Sequence, residues 1–553
     1  MSETSQSPSA VLIFQAGPVQ TFIAAARSTR DLWSGSYMLS WLVASAAKAA
    51  LETAGAGADA VVFPRLDALG VYKTLTRDFS PSLETLLTPA MPNRFAVRVP
   101  ADGAEAAARA AENAFRDELK RIADAVWAHL KTLTSVPADD AWKTRWDAQI
   151  ALFPEITWQT VPENGDYENA FKRCQKLLAA RRNTRDFAQF VTDAEQEGAP
   201  KDALTGKEEV IGTEAFHKKH FEGEGPYGAI SLCKRFWHEA YLRKNFFADR
   251  PQNFWEVVSY DSVPKIAKEN TDASNPYVAV VAMDGDQMGK WMDGERRLAG
   301  ESESNLELHH KVFSEKLAIF SNECAEPIVR KHKGQLIYAG GDDVLAMLPA
   351  TRVFACVAEL RKAFNEKIGC DANNNSADVS CGIAVAHKEY PLQRMVKEAQ
   401  RAEHRAKTDY GRGAFAFSLL KRNGEIVHWG AKWNGAASDL FKLYCEEMSK
   451  RGKSPVSRRF PYALAGLLAP YNLEKPVKTA ELDVLRLLKA EFSVICDRQI
   501  EDEATRKKIR DAANPCFGER TDTSKAETDK EFAARPGDFA KLFLTAAFIF
   551  RKR

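Results

Sequence analysis

The sequence predicts an α+β protein of several domains. Strand and helix patterns alternate over the first 155 residues, and alternate more regularly between residues 277 and 425. Helical patterns fill the intervening region and the remainder. A chain of 553 residues also exceeds one ordinary core, so three to four domains are expected.

The first domain, 1–155, opens on a short apolar β-run at 11–14, broken by Gly17-Pro18 and followed by a long helical pattern. VVFPRLDAL and RFAVRVPA read as later strands, and 104–134 as an Ala-, Glu- and Arg-rich helix. Residues 156–275 read as a polar helical insert, with a loop-like stretch, EQEGAPKDALTGKEE, and a closing linker, KENTDASNP. The second α+β domain, 276–425, has strands at 277–283, QLIYA, VLAML, DVSCGIAVA and AFAFSLL, separated by helical patterns at 306–332, 353–368 and 392–408. Residues 426–553 read as a helical domain interrupted by the polar loop NPCFGERTDTSKAETDKEF. No repeat with a period of 20–50 residues is present.

Composition narrows the class. Apolar residues make up 45% and charged residues 27%, which suits a soluble globular chain. The 77 Lys+Arg and 75 Asp+Glu leave a net charge of only +2, so any nucleic-acid contact is expected to be local or shared with other subunits. The polar start, MSETSQSPSA, has neither the basic nor the apolar region of a secretory signal. Uncharged apolar stretches such as 542–550 fall far short of the roughly 20 residues that a membrane span needs. Nine cysteines lie scattered without a C-x-x-C pair, against a zinc ribbon or a disulfide framework. A cytoplasmic, reducing location is expected.

The chemistry concentrates in YAGGDDVLAML. Gly340 and Gly341 join two apolar strands in a tight hairpin and leave room for a phosphate above the turn. Asp342 and Asp343 at its tip repel each other unless a hard divalent cation sits between them, commonly Mg²⁺ with nucleotide phosphates. The plain alternative is a solvated acidic turn. Asp284 ends a seven-residue apolar strand, with Gly285 beside it, well placed to meet a neighbouring hairpin tip. Neighbouring strand residues face opposite ways, so one of Asp342 and Asp343, either of the two, is expected as the inner ligand in a given state. Asp286 could be a further ligand or a helix N-cap. In RAEHRAKTDYGRGAF, Lys407 and nearby Arg412 could reach a triphosphate; otherwise they are a solvated helix end favoured by the macrodipole.

The order of strand–Asp, GGDD hairpin and A-K-x-x-x-G-R-G resembles GGDEF-type nucleotide cyclases and related palms. With GPVQTFIAAARSTRDLWSGSYMLS, MDGDQMGKW, IYAGGDDVLAMLP and GIAVAHKEYPL, the chain is more narrowly similar to the large palm-polymerase subunit of type III CRISPR effector complexes, of the Cmr (III-B) kind. That resemblance implies two ferredoxin-like palms in tandem with a helical insert and a C-terminal helical domain. The second palm would hold Mg²⁺ or Mn²⁺ through Asp284, Asp342 and Asp343, with Gly285, Gly340, Gly341, Lys407 and Arg412 around the nucleotide. The first would bind a nucleotide without metal catalysis, through Gly17, Gln20, Arg30, Asp31, Gly35 and Ser36. Arg30–Asp31 could equally be a surface pair, and Trp33 reads as core.

The implied activity is target-RNA-activated conversion of ATP to cyclic oligoadenylates in antiviral defence, with other Cmr-type subunits, guide RNA and target RNA as partners. Two alternatives stand beside it. The same site could transfer AMP to S-adenosylmethionine, with Asp67 a candidate contact, or the chain could be a non-catalytic scaffold. No His is followed by Asp and the first palm begins almost at once, so an HD nuclease domain and DNase activity are not expected. Cys174 and Cys233 stand alone in the insert, so zinc is not expected either. A basic stretch over 421–459, with Lys450, Arg451, Lys453, Arg458 and Arg459, reads as solvated surface or as a face for RNA or a partner subunit.

Overall fold

The computed structural model describes residues 8–133, 140–184, 200–221, 225–258, 260–300, 305–450, 456–457, 459–471, 482–517, 532 and 535–551. Two sheets organise them. The first holds β1 (Ser9–Gly17), β2 (Val61–Phe63), β3 (Arg94–Pro100) and β4 (Glu155–Pro162), in the order β2-β3-β1-β4. β1 is central and antiparallel to both β3 and β4, and its residues 10–14 are buried on both faces. The helix Thr29–Ala54 follows β1, and Ala104–Thr132 stands between β3 and β4, completing a βαββαβ palm.

Local chemistry sets both helices. Ser28 caps the first by accepting from the Asp31 N–H, and Gly55 ends it at φ 63°. The second buries Ala104, Ala107, Ala108, Ala111, Phe115, Leu119 and Ile122, the spacing of one helical face, and packs it on the first helix. The sequence reading closes this domain at 155; β4 lies across that border because its half-exposed residues alternate too weakly to announce a strand.

The second sheet has six strands: β5 (Tyr277–Gly285), β6 (Gln335–Gly340), β7 (Asp343–Pro349), β8 (Val379–His387), β9 (Ala414–Leu420) and β10 (Ile426–Lys432). Their order is β10-β9-β8-β5-β7-β6. Its inner part, β6-β7-β5-β8, repeats the connectivity of the first sheet. β9 adds parallel to β8 after the helix Leu392–Thr408, and β10 returns antiparallel, past the border read at 425.

The apolar run of β5 is explained by burial on both faces. Val278, Val280 and Ala282 join one core with Trp33 and Leu42 of the first palm. Ala279, Val281 and Met283 join another with Phe313, Val357 and Phe543. The palms therefore share a core. Trp33 stacks on Tyr260 at 5.5 Å, and the Tyr260 hydroxyl donates to the Leu336 carbonyl at 2.9 Å. The Ala339 N–H donates to Pro89 O at 3.0 Å, so edge strand β6 is covered by the first palm. On another side His310 lies between Tyr167 Oη, 2.8 Å from Nδ1, and Met292 O, 2.6 Å from Nε2.

In the insert, Lys234 of the helix Ala229–Trp237 donates to the carbonyls of Phe22, Ile23 and Ala25 at 2.5–3.0 Å. Cys174 and Cys233 are buried in different cores, Cys174 with Val11 and Ile13, Cys233 with the palm helices. Helices Ala436–Ser449, Phe460–Leu468, Leu482–Gln499, Glu503–Ala513 and Pro536–Ile549 follow the second sheet. Residues 195–199 and 518–531 of the two polar loops fall outside the described residues. Among the described residues no helix is long and apolar enough to cross a membrane.

Candidate active site

The β5–β7 register pairs Met283 with Val344, which brings the carboxyl end of β5 to the hairpin tip. Gly340 pairs with Asp343, leaving Gly341 and Asp342 as the turn. Gly341 has φ 71°, a conformation that favours glycine, and its carbonyl accepts from Ser321 Oγ at 3.0 Å. A Cβ on Gly285 would stand 2.8 Å from the Cβ of Asp342, so the missing side chain is what lets β5 touch the turn.

One carboxylate oxygen from each of Asp284, Asp342 and Asp343 lies within 4.8 Å of the others. Asp343 shares its face of β7 with Leu345 and Met347, in the same core as Val280 and Ala282 of β5. Asp342 joins them because it occupies the turn, where strand alternation no longer dictates direction. Both hairpin carboxylates thus converge, where alternation within a strand would admit one.

Burial pushes Asp342 up to about 6. Asp343 is open to solvent on one side, yet its surroundings drive its carboxyl well above the usual range, desolvation first and the Asp342 charge second. Lys407 meets this cluster through an ion pair with Asp284 and a second with Glu403 at 2.6 Å. Burial lowers Lys407 to about 8 and raises Glu403 to about 7. Converging hard oxygen donors whose protons leave reluctantly are the donor set a divalent ion such as Mg²⁺ or Mn²⁺ fits, and Asp284, Asp342 and Asp343 would hold it.

The helix that carries Lys407 reaches the site through a close approach. A Cβ on Gly382 of β8 would lie 2.0 Å from Ala399 O and 2.1 Å from the Glu403 N, so only glycine admits the helix here. Asp286 stands outside the acid cluster and caps no helix. It is buried and accepts from Ser380 Oγ and the Gly413 N–H, both at 2.7 Å, while the next helix, Met288–Met292, starts without a side-chain cap. The Arg412 guanidinium, about half exposed, is 3.7 Å from Asp286. Gly382 and the clasp around Asp286 left no signal in the sequence; Glu403, one helical turn before Lys407, did.

The first-palm candidates divide. Gly17 ends β1 at a cis bond to Pro18. Gln20 and Arg30 are exposed, and the short helix Gln20–Ala24 contacts the helix of Lys407. Asp31 is buried, 3.6 Å from Arg235. Gly35 presses on the Lys234 stem, where a Cβ would stand 2.6 Å from Cε, and buried Ser36 donates to its own helix at Leu32 O. Trp33 is core and donates to Leu87 O. Asp67 is exposed and paired with Arg65. In the basic stretch, Lys421 pairs with Glu425 and Lys450 with Glu447, and Arg459 is exposed; Arg451, Lys453 and Arg458 lie outside the described residues.

Two family models match the halves of this architecture. Cas10/Cmr2, second palm domain, covers residues 277–416, and the N-terminal model of CRISPR-associated protein Cmr2 covers 11–124. Over these two stretches the chain matches the Cas10/Cmr2 family. Among curated members of that family, the CRISPR system Cmr subunit Cmr2 of Pyrococcus furiosus is 32% identical over 216 residues, 34% of this chain. The Cas10/Csm1 single-strand-specific deoxyribonuclease of Streptococcus thermophilus is 25% identical over 213 residues, 37% of this chain. The chain spans 24% and 26% of these two relatives. In fold, the chain resembles a type III-B Cmr-beta structure in the apo state, with a TM-score of 0.61, 14% identity, and 90% and 78% of the two chains covered. It also resembles a Csm1-Csm4 cassette in complex with pppApA, with a TM-score of 0.51, 14% identity, and 99% and 70% covered.

Proposed function

We propose that this chain is a nucleotidyltransferase of the Cas10/Cmr2 kind that joins ATP into cyclic oligoadenylates, switched on by target RNA inside a Cmr-type complex with guide RNA. One observation carries the reading: Asp284, Asp342 and Asp343 converge within 4.8 Å beside Lys407, at the rim of a palm sheet. Structure alone gives no reason to bring Asp284 together with two acids, Asp342 and Asp343, whose surroundings resist their ionisation. The pppApA seen with the Csm1-Csm4 cassette supports adenylates as the substrate.

The work divides among the residues. Asp284, Asp342 and Asp343 would hold Mg²⁺ or Mn²⁺, which would supply activation of a ribose 3′-hydroxyl and charge neutralisation at the phosphates. Gly341 leaves open space above the turn for the phosphates, since nothing lies within 4 Å of the place its Cβ would take. Lys407 and Arg412 bind the triphosphate, Lys407 leaving its carboxylate partners for phosphate oxygens. The first palm presents the second nucleotide, with exposed Gln20, whose short helix contacts the helix of Lys407, and exposed Arg30 as its polar groups.

The test incubates the assembled complex with ATP, Mg²⁺ and target RNA, with and without S-adenosylmethionine, and identifies products by mass spectrometry. Oligoadenylates are expected, dependent on target RNA and independent of S-adenosylmethionine. Absence of any adenylate product overturns the reading, and a product that requires S-adenosylmethionine replaces it with AMP transfer. Asp342→Ala with Asp343→Ala should abolish synthesis and leave assembly intact; unchanged synthesis removes the acid cluster from the chemistry.

A further inference from the structure

Gly411, Arg412 and Gly413 form a run of three left-handed residues, with φ 68°, 66° and 51°. Glycine adopts that conformation freely; a residue with a Cβ does so only where its surroundings impose it. Arg412 is thus set in place by its neighbours, and several elements converge to do it. From β10, Lys432 Nζ donates to the carbonyls of Gly411 at 2.8 Å and Arg412 at 3.0 Å. From the end of β5, Asp286 accepts the Gly413 N–H at 2.7 Å. The Trp433 N–H donates to Gly413 O at 3.0 Å, and the Arg412 N–H reaches Ala406 O at 3.1 Å. Asp286 is itself immobilised, by Ser380 Oγ at 2.7 Å and by its own N–H on Asp378 O at 2.8 Å. Arg361 grips the Asp378 carboxylate with two bonds of 2.7 Å. Such bracing exceeds what a surface turn needs. Its product is one guanidinium, half exposed and 3.7 Å from the Asp286 carboxylate, beside Lys407.

We propose that Lys432 and Asp286 are positioning residues which hold Arg412 in its left-handed conformation, so that its guanidinium stands ready for the triphosphate of the incoming nucleotide. The inference rests on the reading that Arg412 meets that triphosphate. A preset guanidinium loses less conformational freedom on binding, and its gain appears as nucleotide affinity rather than as metal affinity.

The test is a double-mutant cycle on the full chain, read as the dissociation constant for α,β-methylene-ATP with Mg²⁺ by calorimetry. This probe carries the triphosphate and cannot transfer its α-phosphate. Arg412→Ala should weaken binding about tenfold or more, and Lys432→Met about threefold to tenfold. Combining them should weaken it no further than Arg412→Ala alone, because Lys432 acts through Arg412. Asp286→Asn, which keeps size and one acceptor oxygen, should weaken binding less than Asp286→Ala. Mg²⁺ affinity without nucleotide should be unchanged in Lys432→Met, whereas general loosening of the sheet would lower both affinities. If Arg412→Ala binds like the unaltered chain, the reading of Arg412 as a triphosphate ligand fails. If Arg412→Ala weakens binding but Lys432→Met does not, or the two losses multiply, the clasp fails and that reading stands.

Discussion

Asp342 and Asp343 should destabilise the metal-free fold, since desolvation raises both carboxyls and the Asp342 charge raises Asp343 further. Neutralising one should relieve that cost. Asp343→Asn is expected to stabilise the metal-free chain by about 1–3 kcal/mol in urea denaturation. The same change should remove most of the stabilisation that millimolar Mg²⁺ gives the unaltered chain. A variant that is destabilised without metal, or that responds to Mg²⁺ as before, would show the charges to be already balanced by Lys407. Gly285 offers a second check at this scale. Gly285→Ala places a methyl 2.8 Å from both Asp342 Cβ and Met288 Cγ, which should push the hairpin from β5. Overpacking of that kind costs about 1–3 kcal/mol, and Mg²⁺ affinity should fall about tenfold.

At the scale of elements, the second palm depends on how closely the helix Leu392–Thr408 lies on β8. Gly382→Ala would set a methyl about 2 Å from backbone atoms of Ala399 and Glu403, and backbone cannot step aside as a side chain can. Loss of at least about 3 kcal/mol is expected, with Lys407 carried away from Asp284; a melting temperature within a degree of the unaltered chain would refute it. This contact also shows where sequence reading stops. Strand β5, the Gly-Gly turn and the Lys407 helix were legible because each is written in consecutive residues. The approach at Gly382 was not, since a glycine inside an apolar strand says nothing of which helix lies over it. β10 had a signal that the domain reading passed over: Asn423-Gly424 between two apolar runs marks a hairpin, and Gly424 takes φ 88°. The first-palm candidates were harder still. Asp31, Gly35 and Ser36 look like ligands as letters, yet tertiary packing gives Asp31 and Gly35 Arg235 and Lys234 as partners, and Ser36 bonds back to its own helix at Leu32.

For the whole molecule, the shared core means that the palms should not melt separately, and their contacts should respond to acid. His310, on the helix Leu306–Ile319, is fully buried against the helix Tyr167–Asn183, and burial lowers its pKa from the ordinary 6.5 to about 4. Between those values the unfolded chain takes up a proton that the folded chain refuses. Stability is therefore intact above pH 6.5 and falls as the pH drops toward 4, by up to about 3 kcal/mol from this group. Stability measured against pH should drop less steeply over that range in His310→Gln. Equal slopes would mean that the imidazole is protonated in the fold.

Strand β6 leads into the hairpin that presents Asp342 and Asp343, and Pro89 and Tyr260 hold it from outside its own domain. The hairpin bearing two of the three acids is thus held both by β5, which carries Asp284, and by groups outside its own sheet. Without both outside tethers β6 would be an open sheet edge, while the pairing of β7 with β5 would still set the spacing of the acids.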